Sequence, residues 1–142
     1  MREILFRGKR LDNGEWIEGI PINTHIGTFI VFEENPHFCD QYGYMEIDEL
    51  AKVDPATVGQ YTGLRDRNGK RIFEGDVLVS FFCDDVPNYG ERSVVLWHKH
   101  AWCSQYRDYK PETLEEYEMS NYVDVIGNIY DNPELLEQEA GK

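Results

Sequence analysis

The chain has 142 residues, 41% hydrophobic and 13% aromatic, with a formal net charge of −13. That length and apolar content suit one domain, or two closely packed subdomains, with a real hydrophobic core, and they argue against a disordered chain. The acidic balance opposes non-specific binding to DNA, which rests on Lys and Arg neutralising phosphates, and favours long-range attraction to a basic partner surface.

The longest apolar run, Thr28–Phe32, is too short to span a bilayer, and Met1-Arg2-Glu3 opens no signal-peptide core. No membrane contact is expected. Cys39, Cys83 and Cys103 are odd in number and widely spaced, poor arithmetic for a disulfide framework. They predict reduced thiols and a cytoplasmic location.

Met1–Phe6 reads as a strand, with Ile4 and Phe6 on one face and Leu5 on the other. Asp12-Asn13-Gly14 is a hairpin tip from which Glu15–Ile20 returns. Gly27–Glu33 is a further strand that Asn35-Pro36 ends. His37–Gly43 reads as a loop, Tyr44–Ile47 as a short pairing strand and Asp48-Glu49-Leu50 as a helical turn.

Most of the sequence grammar is concentrated in Val53–Val79. Asp54-Pro55 is a helix-start signal and Gly59 a stop barely one turn later, which predicts a stub helix. Gln60-Tyr61-Thr62 follows as a strand. Asn68-Gly69 predicts a type I′ tip, with Asp66 on its exposed polar side, and Arg71-Ile72-Phe73 returns from it. Glu74-Gly75-Asp76 marks a bend before the apolar strand Val77–Phe82. A calcium loop over Asp66–Asp76 fails: with Gly69 sixth, positions one and twelve fall on Leu64 and Gly75. Phe6-Arg7-Gly8, Asn13-Gly14 and Glu18-Gly19 echo Tyr61-Thr62-Gly63, Asn68-Gly69 and Glu74-Gly75. This reads as two related hairpins, with common turn grammar as the rival explanation.

Asp84–Gly90 is a polar loop. Arg92–His98 alternates as a core strand, with Val94, Leu96 and His98 on one face and Val95 and Trp97 on the other. Ala101–Tyr109 is expected to pair with it across a tight connection. Pro111–Met119 reads as a helix with Leu114 and Tyr117 on one face, and Tyr122–Tyr130 as the last strand. Asn132-Pro133-Glu134 starts a closing helix that carries Leu135 and Leu136 inward.

The best metal candidate is His98 with His100 and Cys103, joined at most by Cys83, because residues two apart on a strand share a face. Against it, the paired Cys-x-x-Cys spacing is missing, and His37 and Cys39 join only by assuming a fold. Asp84-Asp85 and Glu115-Glu116 are adjacent acids rather than carboxylates facing one substrate. No nucleophile-elbow, phosphate-loop or dinucleotide pattern is present. A Cys–His nucleophile pair from Cys103 or Cys83 with His98 or His100 is weaker than the reading of buried thiols beside a surface His. We therefore assign no catalytic, cofactor-binding or metal residue and expect a non-enzyme. Trp97, Trp102, Tyr106 and Tyr109, with Arg92, Lys99 and Arg107, carry an alternative, single-stranded nucleic-acid binding by a small barrel. The overall charge opposes it. From Asp108 to Lys142 there are ten acids and two basic residues, which suits electrostatic docking onto a basic protein or head to tail between copies.

The opening MREILFRG, the central VDPATVGQYTGLRDRNGKRIFEGDVL and the closing VIGNIYDNPELL resemble the YopX family of phage and prophage proteins. The blocks span essentially the whole chain in the family's order. The resemblance implies a small β-rich fold with an SH3-type barrel, and it brings no established activity and no catalytic residues. With the hairpin readings, it predicts a mainly β chain with two or three short helices. An N-terminal β-hairpin subdomain would cover 1–52, and an SH3-like barrel with a short C-terminal helix 53–142. The expected role is that of a phage accessory protein working through contact with a phage or host protein, or with its own copies. A metal or thiol enzyme is the remote alternative.

Overall fold

The computed structural model describes residues 3–32, 37–39, 43–46, 49–81 and 92–136. Among them the chain is mainly β, with two five-stranded antiparallel sheets, a two-stranded hairpin, one α-helix and one 3-10 turn. It divides into two compact units, residues 1–60 and 61–142. The boundary expected at 52/53 falls inside a 16-residue strand, Leu50–Arg65.

In the first unit, β1 (Phe6–Arg10), β2 (Trp16–Thr24) and β3 (Gly27–Val31) form a meander, and β6 (Leu50–Arg65) closes it. Residues Leu50–Val53 of β6 pair with β3, and Val53–Gln60 pair with β1, so the pairings complete a circuit. A bulge lets one strand serve both neighbours: pairing jumps from Lys9–Asp54 to Arg7–Gly59. Here the expected stub helix is corrected. Asp54 does accept the Ala56 N–H (3.0 Å), as a turn-starting Asp does, and the Thr57 hydroxyl donates to Asp54 O (2.6 Å). The Lys9 N–H then donates to Thr57 Oγ1 (2.9 Å), and the chain re-enters the sheet before a helical turn completes. Ile30 and Val53, both fully buried, fill the inward face with Ala51 and Thr28. Gly19 permits that closeness, since a Cβ there would overlap the Val31 carbonyl oxygen. Among the described residues the first strand begins at Phe6, leaving Ile4 and Leu5 before it, and Ile4 is exposed.

β4 (His37–Cys39) and β5 (Tyr44–Glu46) pair with each other, so the stretch read as a loop from His37 starts as a strand. Leu50 opens β6 instead of ending a helical turn.

In the second unit, the end of β6 pairs with β7 (Arg71–Phe73). After the Glu74-Gly75 turn come β8 (Asp76–Ser80), β9 (Arg92–His98), β10 (Ala101–Gln105) and β11 (Glu112–Thr113). Helix α1 (Glu116–Tyr122) leads to β12 (Val123–Asn128), which returns to pair with β8. The sheet order is β11-β10-β9-β8-β12. One core gathers Ile72, Leu78, Val95, Leu114, Met119 and Val123.

Three local readings change in this unit. The Asn68-Gly69 tip is not type I′, because only Gly69 has positive φ (+83°) and its N–H closes a turn onto Asp66 O. The turn with two left-handed residues is Lys99-His100, between the paired His98 and Ala101. The helix starts at Glu116, not Pro111, since Glu112 and Thr113 pair with β10 and the Leu114 N–H reaches Trp102 O (3.0 Å). Met119 therefore faces inward, and Tyr117 is 68% exposed. The closing element is a 3-10 turn, Pro133–Leu136, in which Leu135 is half-buried and Leu136 exposed. The expected loop Asp84–Gly90 lies outside the described residues.

Candidate functional site

His98, His100 and Cys103, singled out for metal, do not converge. His98 ends β9, but His100 sits in the left-handed turn beyond it, so the rule that strand residues two apart share a face does not apply. Cys103 is buried in β10, its thiol turned toward the carbonyl oxygens of Ala101 (3.7 Å) and His98 (3.9 Å). Among the described residues no three His, Cys, Asp or Glu side chains approach closely enough to hold a metal. Cys83, Asp84 and Asp85 lie outside the described residues, as do the side chains of His37 and Cys39. Glu115 and Glu116 are exposed at the start of α1.

The aromatic group divides into two pairs at opposite ends of the β9–β10 hairpin. Trp97 and Trp102 are cross-strand partners beside the turn, edge to face at 5.0 Å. Trp102 packs against the core, while Trp97 is 53% exposed. Tyr106 and Tyr109 stand beyond the other end of β10, with centroids 5.4 Å apart. Tyr106 lies four steps along the chain from Trp102, roughly 13 Å at the usual strand rise. Of the three cations, Lys99 lies in the turn, whereas Arg92 and Arg107 come together at the tyrosine end. There they line a cleft of about 120 Å³ with Tyr106 and Leu135.

Two features escaped the sequence reading. The first is an apolar outer face on the first unit. Cross-strand rows Ile20–Val31–Leu50 and Ile22–Phe29–Lys52 put five apolar side chains together, with Lys52 at their edge, on the face opposite Ile30 and Val53. Ile20, Ile22 and Leu50 are 47%, 40% and 39% exposed. The spacing of Ile20 and Ile22 carried that signal, but only the register with β3 and β6 shows that they have neighbours. The second is Asp66, expected on an exposed turn and in fact 4% exposed. Its Oδ1 accepts the N–H groups of Asn68 and Lys70 (2.9 Å each), and its Oδ2 accepts that of Val125 (3.0 Å). Those bonds hold the carboxylate as a structural clamp. By contrast, Asp12 in the first hairpin tip is exposed, its carboxyl held below the usual range by hydrogen bonds from Arg10.

The profile of the family described as YopX protein matches residues 5–137. The solved structure of protein EF1440 from Enterococcus faecalis is similar at a TM-score of 0.68 and 23% identity, covering 96% of this chain and 99% of that one. At that identity the likeness concerns the fold. No curated protein matches the chain.

Proposed function

The chain belongs to the YopX family, and from that premise we propose a non-enzymatic accessory protein of phage or prophage origin that works in the cytoplasm by protein–protein contact. The apolar outer face built from Ile20, Ile22, Phe29, Val31 and Leu50 carries this reading. A contiguous apolar patch on a folded unit, as opposed to scattered apolar residues, is characteristic of a contact surface. The formal charge of −13 favours a basic protein over a second copy, because like-charged copies repel. In the second unit, β12 pairs with the first strand of the β8–β9–β10–β11 meander, and a short helix precedes it. That order supports an SH3-like small barrel, a frequent frame for peptide and protein recognition.

The nucleic-acid alternative loses its main support once the tryptophans and tyrosines part company, since stacking successive bases needs aromatics along one basic groove.

The test is capture of partners from infected or lysogenic cells with the native protein and with an Ile20→Lys/Ile22→Lys variant. We expect a specific basic partner that the variant loses, while its melting stays near that of the native protein. A variant that captures the same partner equally well would overturn the reading. So would a native protein that captures nothing and sediments as a strict monomer. Self-association without another partner would replace the basic protein by a second copy.

A further inference from the structure

The cleft at the tyrosine end of the β9–β10 hairpin has a composition that its structural role does not explain. Arg92 and Arg107 face it, in a chain with nearly twice as many acids as Lys and Arg (27 against 14). Neither guanidinium has a carboxylate partner among the described residues. Arg92 donates to Leu135 O (3.2 Å), which holds the 3-10 turn as one wall and leaves further N–H donors of its five for another acceptor. Arg107 stacks over the Tyr106 ring (5.1 Å) and sits at φ +53°, a left-handed conformation that side chains with a Cβ adopt at a cost. The rest of the lining is mostly apolar: Val94 from β9, on the same strand face as Arg92, and Leu135 and Leu136 from the turn, with Gln105 of β10 and the Tyr106 ring beside them.

We propose that this cleft is a recognition site for the C-terminal residue of a peptide or protein partner, taking its terminal carboxylate on Arg92 and Arg107 and its aliphatic side chain on Val94 and Leu135. The size selects this ligand. About 120 Å³ is the room of a few water molecules, far below the 300–1,000 Å³ usual for a small-molecule pocket, and it suits one anchoring residue. The chemistry selects it too. A chain end places a carboxylate and a side chain on one carbon, which matches two arginines set against an apolar wall. Paired guanidiniums bind carboxylate through charge-assisted, planar hydrogen bonds. The site lies within the second unit and does not depend on the apolar face of the first.

The experiment is a titration of the full chain followed by the amide resonances of Gln105, Tyr106 and Arg107. The probes are acetyl-Gly-Gly-Leu as the free acid, the same peptide as its C-terminal amide, acetyl-Gly-Glu-Gly-amide, and inorganic phosphate. We expect saturable shifts with the free acid at a Kd of roughly 0.1–1 mM. Amidation should weaken binding by about tenfold or more, with the glutamyl peptide and phosphate no stronger than the amide. Arg107→Gln, at an exposed position, should abolish the shifts while leaving the fold and the remaining spectrum intact. Arg92→Gln should do the same and in addition loosen the 3-10 turn. The proposal is overturned by no saturable shift with the free acid, by equal binding of acid and amide, or by Arg107→Gln binding as the native chain does. Phosphate or the glutamyl peptide binding as tightly as the free acid would mean a general anion site and would overturn it as well.

Discussion

The tips of the first and second hairpins share a vocabulary and part in every contact. Each has an Asp shortly before an Asn-Gly pair, and in each the Gly has positive φ, +74° at Gly14 and +83° at Gly69. In the first, Asp12 lies on the surface and pairs sideways with Arg10 at 2.8 Å. In the second, Asp66 turns inward, ties its own turn through two amides and reaches the amide of Val125. Its neighbours follow: Arg67 N–H donates to Val123 O (3.0 Å), the Arg67 guanidinium pairs with Asp124 (2.7 Å) and stacks over Phe81, and Asn68 donates to Asp124. Local grammar makes a turn. Whether the turn is decoration or a clamp depends on a strand nearly sixty residues away.

The largest test of that contrast is Asp66→Ala. It leaves three part-buried amides without their acceptor, and hydrogen bonds to a charged group are worth more than neutral ones, so we expect a loss of about 3 kcal/mol in urea unfolding. A loss under about 1 kcal/mol would put the second tip on a par with the first. Gly75→Val comes next, at about 2–3 kcal/mol: its φ is +90° and a Cβ would press on the Tyr130 ring at 3.1 Å. Gly69→Val, with the same backbone demand but open space around it, should cost about 1–2 kcal/mol, which separates conformational strain from crowding.

Arg67→Ala removes a half-buried bidentate pair and a ring contact, and should lower stability by about 1–2 kcal/mol in the same unfolding assay. Asp12→Ala should barely move the melt, because an exposed pair is screened by water and salt. The sign for Asp12 follows from its depressed carboxyl. Whatever it contributes is present above the unfolded-state pKa and is lost as the pH falls through the folded one. Asn121→Ala, on the exposed side of α1, should likewise stay within about 0.5 kcal/mol.

Strands β2, β7, β8 and β9 were legible because each carries its own evidence, whereas β4 was read as a loop and β11 as part of a helix. Turn residues bound β2, β7 and β8, and alternation marks β9. What failed was decided between elements. Asp54-Pro55 is a sound helix start until β1 claims the next residues for pairing. Pro111 lost the first turn of its helix to β10, which took Glu112 and Thr113. The apparent echo of the two hairpins extends to a positive-φ Gly at each tip but not to Glu-Gly. Gly19 sits against Val31 within a pairing circuit, whereas Gly75 forms a turn between β7 and β8. The candidate ligands His98 and His100 separated because the strand ended between them, at a Lys-His turn with none of the usual turn residues. The Arg92–Arg107 cleft was half visible, as cations near tyrosines. Its apolar wall depends on a 3-10 turn some thirty residues further on.

Amide hydrogen exchange at Val125 tests the clamp most directly, since its N–H is the bond that Asp66 makes to β12. We expect slow exchange in the native protein and in Asp12→Ala, and acceleration by about a hundredfold or more in Asp66→Ala. A Val125 amide that exchanges at the same rate in the native protein and in Asp66→Ala would contradict the clamp.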